Sequence, residues 1–189
     1  MANEIRSKDM EEKIKNLKKN ITIIKQGSTS SSYTSPFLFI KYLKSNTTTH
    51  KSKRNLLTYD IFKREKYIGS VLNKFDWFPT LLYSDDENLF FIYKNKGVPV
   101  NYKNIPQNIE EQFNKILSDL KTVNIQHNDI KESEILVDQK GKIYLCDFGW
   151  GSVNNDLSCG IGIWGCNNKN KPGGYRDDET ALKRCDFKK

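Results

Sequence analysis

The sequence has no apolar run long enough to cross a membrane, and it has few of the residues that usually hold zinc. Its first part, Met1 to Asn20, is charged throughout and contains no apolar stretch of signal-peptide length. We therefore expect neither a signal peptide nor a membrane span. There are two histidines and four cysteines, and the cysteines lack the paired spacing of a zinc site. These absences favour a cytoplasmic protein with reduced thiols.

Arginine is also scarce. Only five of the 31 basic residues are arginine, although the formal net charge is +8. Nucleic-acid recognition relies on arginine for bidentate contacts, so RNA or DNA binding is the lesser interpretation of this charge. A composition rich in Lys, Asn and Ile is as easily explained by an AT-rich coding bias. The basic balance still favours an anionic partner, and acidic protein surfaces are among the candidates.

The most informative feature present is a predicted β-hairpin with one carboxylate at each end. Asp129 and Asp147 lie 18 residues apart, and Lys131 follows the first of them. Between them Ile135–Val137 and Lys142–Cys146 are short β-forming runs joined by a turn, which brings the two ends together. Phosphoryl transfer from a magnesium-bound nucleotide needs a base, a cation and a metal ligand, and these three side chains can supply them.

This segment resembles the catalytic core of the protein kinase-like superfamily, which carries H-x-D-x-K-x-x-N, a hairpin and D-F-G. Asn128 replaces an Arg that in the family commonly couples activity to a phosphorylated activation loop, so we expect no such switch. Glu134 replaces an Asn that binds a second magnesium; it keeps a hard oxygen ligand but adds a charge. The positions that match are His127, Asp129, Lys131, Asp147, Phe148 and Gly149.

The resemblance implies an α+β, two-lobed protein kinase-like fold, with a small antiparallel sheet in the N-lobe and a reduced helical C-lobe. It implies ATP and Mg²⁺ as cofactors, Asp129 and Lys131 as catalytic residues, and Asp147 and Glu134 as metal ligands. The implied units are a polar N-terminal arm or helix at 1–20, a nucleotide-binding N-lobe at 21–97, and a minimal C-lobe with the catalytic loop at 98–189.

Two backbone segments resemble the family's nucleotide contacts. Gly27 and Ser28 begin a Ser-rich loop between two apolar runs, similar to the glycine-rich loop over the ATP phosphates. A plain Ser/Thr surface loop is the alternative. Ile92 to Gly97 resembles the hinge that meets adenine through backbone groups, and we expect Ile92 and Lys94 to take part.

A buried ion pair is the next expectation. Lys41 follows the apolar run Phe37 to Ile40 and resembles the family's strand Lys, which holds the α- and β-phosphates; Lys44 is the competing candidate. Apolar spacing predicts a helix over Tyr59 to Lys74. Glu65, near its middle, is the expected partner of Lys41, and a solvated helix glutamate is the alternative.

Other patterns outline the remaining elements. Phe78 to Tyr83 and Leu89 to Tyr93 predict a strand pair, and Asn108 to Leu120 predicts an amphipathic helix leading to the catalytic loop. Forty residues follow Gly149, without an A-P-E motif. In them Asp178 to Leu182 predicts a short helix similar to the family's αF. Aromatic residues in this part could line an acceptor site or, as we favour, pack the C-lobe; these are Trp150, Trp164 and Tyr175.

Two functional hypotheses follow. The first is an ATP- and Mg-dependent phosphotransferase, most simply a minimal Ser/Thr protein kinase acting on a hydroxyl of a protein. A small-molecule kinase of the aminoglycoside or choline type is a variant of it. The second is a pseudokinase, a nucleotide-dependent binding or regulatory module, which Glu134, the depleted glycine loop and the reduced C-lobe favour.

Overall fold

The computed structural model describes residues 22–26, 30–43, 51–155 and 178–185, and these form an α+β architecture. Within these ranges ten short strands make three antiparallel sheets, accompanied by three helices. The arm expected at residues 1–20, Trp164 and Tyr175 lie outside the described residues. No helix in these ranges combines the length and the apolarity needed to cross a membrane.

The largest sheet has five strands in the order β1-β2-β3-β5-β4, all neighbours antiparallel. Its second half confirms the predicted strand pair, although β4 begins at Leu81 rather than at Phe78. Trp77, Phe78 and Pro79 are buried in a turn, and proline has no N–H for a strand ladder. The strands are β1 (Thr22–Gln26), β2 (Ser30–Thr34), β3 (Leu38–Leu43), β4 (Leu81–Asp85) and β5 (Phe90–Lys94).

Helix α1 (Lys51–Leu72) begins at Lys51 rather than at the predicted Tyr59. Its buried residues Phe62, Glu65, Ile68 and Leu72 follow at intervals of three or four, so they form one face. Phe62 stacks on Phe91 of strand β5 with ring centroids 4.5 Å apart. This apolar contact fixes the helix against the large sheet and turns Glu65 inward.

The two faces of the large sheet bury different side chains. On one face Ile40, Phe90 and Ile92 form a small cluster, whereas on the other face Phe91 and Tyr93 belong to the main core. Side chains alternate along a strand, so Lys41 lies on the opposite face from Ile40, as predicted, and faces helix α1.

The predicted catalytic hairpin is present. Its strands β8 (Ile135–Val137) and β9 (Ile143–Leu145) pair antiparallel, and β6 (Val98–Pro99) adds a third strand. A two-strand ribbon joins β7 (Ile125–Gln126) to β10 (Ser152–Val153).

Two further helices complete the described fold. Helix α2 (Ile109–Thr122) occupies the predicted position and buries Phe113, Ile116, Leu117 and Leu120. The short α3 (Asp178–Arg184) adds Ala181 to the same core.

Candidate functional site

A buried ion pair lies at the centre of the site. The Nζ atom of Lys41, on β3, lies 2.7 and 2.8 Å from the two carboxylate oxygens of Glu65, on α1. Both residues are almost fully buried, at 4% and 2% exposure. The predicted pair is therefore formed, and Tyr93 donates its hydroxyl to Glu65 at 3.3 Å. Lys44, the competing candidate, lies outside the described residues.

Asp147 is the third member of this cluster. Its Oδ1 accepts a hydrogen bond from Lys41 Nζ at 2.7 Å, so one ammonium group joins two carboxylates that come from α1 and from the end of β9. The side chain of Asp147 keeps 36% of its surface exposed, unlike that of Glu65. Lys41 thus connects the buried carboxylate of Glu65 to the partly exposed carboxylate of Asp147.

The charged groups of this cluster shift one another's pKa values. Burial acts to lower the pKa of Lys41, but the facing carboxylates of Asp147 and Glu65 outweigh it and raise the pKa. Burial raises the pKa of Glu65 despite Lys41. Burial also acts to raise the pKa of Asp147, but the charge of Lys41 and its hydrogen bond overcome it and lower the pKa. Lys41 therefore remains an ammonium group, and Asp147 remains a carboxylate at neutral pH.

The backbone at Asp147 and Gly149 is shaped for close approach. Asp147 adopts a left-handed conformation with φ of 64°, and its Oδ1 accepts from the Gly149 N–H at 3.4 Å. A Cβ at Gly149 would lie 3.2 Å from that oxygen and 3.3 Å from Lys41 Nζ. Arg64 on α1 donates to the Gly149 carbonyl at 3.2 Å. Glycine therefore leaves room for the charged cluster, and α1 holds this turn in place.

The loop before the hairpin carries the second charged group. Lys131 Nζ pairs with Asp129 Oδ2 and lies 3.4 Å from Glu134 Oε1, which also accepts from the Ser133 hydroxyl at 2.8 Å. The charge of Asp147 also acts on Lys131. Burial acts to lower the pKa of Lys131, but these carboxylates together raise it. Lys131 thus joins the two carboxylates of the loop before the hairpin, Asp129 and Glu134.

His127 is hydrogen-bonded to the loop that carries Asp129. Its ring is fully buried and lies edge-on to Phe148 at a centroid distance of 4.6 Å. Nε2 lies 2.8 Å from the carbonyl oxygen of Cys146, which can only accept, so Nε2 carries the proton. Nδ1 then accepts from the Asp129 N–H at 3.2 Å. One neutral imidazole therefore connects the loop that carries Asp129 to the strand that leads into Asp147.

Asp178 was not predicted as a site residue. Its two carboxylate oxygens accept from the backbone N–H groups of His127 and Asn128 at 2.7 and 2.9 Å. In the sequence it appeared only as an acidic residue at a helix start, which is common because the helix dipole favours it there. No local signal distinguishes the two roles, since the contact spans fifty residues of chain.

Asn128, where the resemblance led us to compare with Arg, makes two side-chain hydrogen bonds. Its side-chain amide donates to the Trp150 carbonyl at 3.1 Å and to the Ser152 hydroxyl at 3.0 Å. It therefore connects the loop before the hairpin to the segment after Gly149. The backbone of Asn128 is left-handed, with φ of 64°, a conformation that Asn tolerates better than most residues.

The remaining predicted contacts are placed differently or lie outside the described ranges. Gly27 and Ser28 fall outside them. Ile92 and Lys94 lie within β5, paired with Ile40 and Leu38 of β3, and the Ile92 side chain faces away from Lys41. Their contact with adenine through the backbone stays a prediction.

The donor set suits Mg²⁺, which favours carboxylate oxygens and usually takes only one or two of them from the protein. Asp147 faces a cavity of about 30 Å³, lined also by Lys41, Gly149 and Trp150. That volume admits a water or an ion, and the base and sugar of a nucleotide would have to lie outside it. Across the part of the chain that the structure describes, no three His, Cys, Asp or Glu side chains form a metal cage.

Two lysine–carboxylate groups therefore lie at the two ends of the hairpin: Lys41 with Glu65 and Asp147, and Lys131 with Asp129 and Glu134. Side chains of these types can hold a cation through one or two carboxylates, bind phosphate through lysine and accept a proton from a hydroxyl. Comparison of the chain with known proteins finds no protein-family model that matches it and no curated protein with significant sequence similarity.

Proposed function

We propose that the protein is an ATP- and Mg²⁺-dependent phosphotransferase with a minimal, two-lobed protein kinase-like fold, acting on a Ser or Thr hydroxyl of a protein. One observation carries the proposal: a lysine buried in the sheet bridges a helix glutamate and the aspartate that follows the hairpin. A buried ion pair of this kind contributes little net stability compared with apolar packing, so its presence points to a chemical role.

The other residues take complementary roles in this proposal. Asp129 accepts the proton of the attacking hydroxyl, and Lys131, already paired with it, neutralises charge on the phosphoryl group. Lys41 binds the nucleotide phosphates. Asp147 and Glu134 would hold magnesium, which when bound supplies charge neutralisation on the β- and γ-phosphates. The neutral His127 and the carboxylate of Asp178 keep the loop of Asp129 in position.

Transfer of labelled γ-phosphate from ATP to a generic protein acceptor tests the proposal. Asp129→Ala and Asp147→Asn should each reduce transfer at least a hundredfold, since each removes a group needed in the transition state. Asp86→Asn is the matched control, because Asp86 is an exposed aspartate in the β4–β5 turn and pairs with the exposed Lys66. Equal transfer by Asp147→Asn and Asp86→Asn would refute the assigned roles.

Glu134 offers a separate test of the metal assignment. Its Oε1 is already engaged by Ser133 and Lys131, so Glu134→Asn changes both the metal ligand and a partner of Lys131. We expect the half-saturating magnesium concentration for transfer to change severalfold while turnover persists. An unchanged magnesium dependence would place Glu134 outside the metal shell.

A pseudokinase is the second candidate, and Glu134 favours it, because its carboxylate lies 3.4 Å from Lys131 and adds a charge where the family has Asn. In this function the Lys41 bridge keeps the two carboxylates together, and nucleotide acts as a regulator of partner binding. Magnesium-dependent binding of a fluorescent ATP analogue, without detectable transfer to protein or to aminoglycoside and choline acceptors, would support this candidate over the first.

A further inference from the structure

A second cavity lies away from the charged cluster. It is an open cavity with a volume of about 340 Å³, bordered by helix α2, the β8–β9 turn and the segment before β4. Lining side chains that matter below are Asp76, Trp77, Gln112, Lys115, Lys140 and Lys142. None of them lines the cavity at Lys41 and Asp147. The volume falls at the lower end of the range for small-molecule sites, about 300–1,000 Å³.

The walls of this cavity are fixed by hydrogen bonds. Gln112 on α2 donates to the Gly141 carbonyl at 2.8 Å and accepts from the Ile143 N–H at 2.9 Å. The Trp77 indole donates to Asp119 on the same helix at 2.8 Å. Helix, turn and Trp77 are therefore tied to one another, and the cavity is formed before any ligand binds.

The charge of the cavity is positive. Three lysines line it, against one acidic residue, Asp76. Lys142 pairs with Asp76, and Lys115 pairs with Asp119 at 2.7 Å, so these ammonium groups are held near the rim. Lys140 is exposed in the turn. Three lysines thus face two carboxylates, Asp76 in the lining and Asp119 beside it, so the net charge is positive.

Further lysines extend this charge along the neighbouring surface. Lys96 and Lys142 both lie against the ring of Tyr144, with Nζ 5.2 and 5.8 Å from its centroid. Burial lowers the pKa of Lys96, and the like charges of Lys94 and Lys142 lower it further. Crowded ammonium groups are unfavourable to one another, and an anion would relieve this repulsion.

We propose that this cavity binds a small molecule that carries two or more phosphate groups. Lysine binds phosphate as a point charge, and the three lysines come from two elements that Gln112 holds in register. A nucleic-acid strand fits less well, because the carboxylates of Asp76 and Asp119 interrupt the basic surface and because the ring of Trp77 is buried, at 3% exposure. The inference is independent of the proposed phosphotransferase.

Titration of the full chain with inorganic triphosphate in EDTA, followed by calorimetry, tests the proposal. Lys115→Gln/Lys140→Gln should weaken binding about tenfold, whereas the matched control Lys103→Gln/Lys121→Gln, which removes two exposed lysines elsewhere, should change it less than about twofold. In Lys41→Met the binding event that the Lys115/Lys140 variant weakens should remain, since Lys41 does not line this cavity; a separate event lost in Lys41→Met would belong to the proposed phosphotransferase site.

Three results would overturn the proposal. One is loss of triphosphate binding in Lys41→Met but not in the Lys115/Lys140 variant, because the anion would then occupy the other site. A second is equal weakening of triphosphate binding in the Lys115/Lys140 variant and in the Lys103/Lys121 control, which would mean diffuse attraction to surface charge. A third is tighter binding of a duplex RNA or of poly-glutamate than of triphosphate, which would assign the surface to a macromolecule. Circular dichroism spectra of all variants verify that they are folded.

Discussion

Removing the ammonium group of Lys41 should destabilise the protein in a strongly pH-dependent way. Glu65, 2% exposed, would keep the hydrogen bond from the Tyr93 hydroxyl but lose the charge of Lys41. An unpaired buried charge costs about 3–5 kcal/mol, but protonation limits that cost. Neutralising a glutamate of ordinary pKa costs about 4 kcal/mol at pH 7 and about 1 kcal/mol at pH 5, at roughly 1.4 kcal/mol per pH unit. We therefore expect Lys41→Met to lose about 3–4 kcal/mol at pH 7 and much less at pH 5.

The sign follows from proton linkage. Burial already raises the folded-state pKa of Glu65, and in Lys41→Met it rises further above the unfolded value. The folded state then binds the extra proton, and stability falls as the pH rises between the two values. Asp147 adds little, because its side chain reaches solvent.

Urea denaturation at both pH values provides the measurement. The double variant Lys41→Met/Glu65→Leu should lie within about 1–2 kcal/mol of the original protein, since it removes the stranded charge and leaves only Tyr93 without its acceptor. Lys66→Met is the control: its pair with Asp86 is exposed, so its loss should change the free energy of unfolding by less than about 1 kcal/mol. A pH-independent loss in Lys41→Met, or a double variant less stable than the single one, would refute the buried pair.

Three further outcomes are expected. Asp178→Ala should lower the free energy of unfolding by about 2–4 kcal/mol in urea, because two backbone N–H groups lose a charged acceptor. Gly97→Ala should be destabilising by more than about 2 kcal/mol, since its φ is +146° and a Cβ would lie 2.2 Å from a carbonyl oxygen. Gly141→Ala, with φ of +77° and a Cβ in ordinary contact with Pro106 at 3.7 Å, should lose only about 1 kcal/mol in the same assay. Burial and then the charge of Glu132 raise the pKa of the Cys185 thiol to about 12. Its alkylation by iodoacetamide at pH 8 should therefore be at least a hundredfold slower in the folded protein than in urea, and its contribution to stability, present below pH 9, should disappear between pH 9 and 12.

Local sequence patterns were sufficient for the elements whose partners lie nearby in the chain. The hairpin of β8 and β9 follows from two β-forming runs and a turn, and its ends carry the residues predicted to act together. The Lys41–Glu65 pair was expected from the family resemblance, with strand alternation placing Lys41 opposite Ile40 and Glu65 lying near the middle of the predicted helix. Formation of the pair then needed only that the helix pack on the sheet.

Contacts between distant parts of the chain and the exact ends of some elements could not be predicted from the sequence. The contact of Asp178 with the loop at His127 depends on tertiary packing, which no neighbouring residue indicates. The run at Phe78 was predicted as strand because buried turns and buried strands share apolar composition. Helix α1 extends back to Lys51 through a segment whose polar residues lack the apolar spacing that marks its later turns.

The charge balance of the cluster connects its geometry to the proposed chemistry. With all four carboxylates ionised, Glu65, Asp129, Glu134 and Asp147 leave two negative charges beyond those that Lys41 and Lys131 offset. A divalent cation would neutralise that excess, and Asp147 is the member that both borders the cavity and retains solvent exposure. In the proposed function Lys41 would keep its contact with Glu65, and the N–H that donates to Asp147 would be available to donate to phosphate.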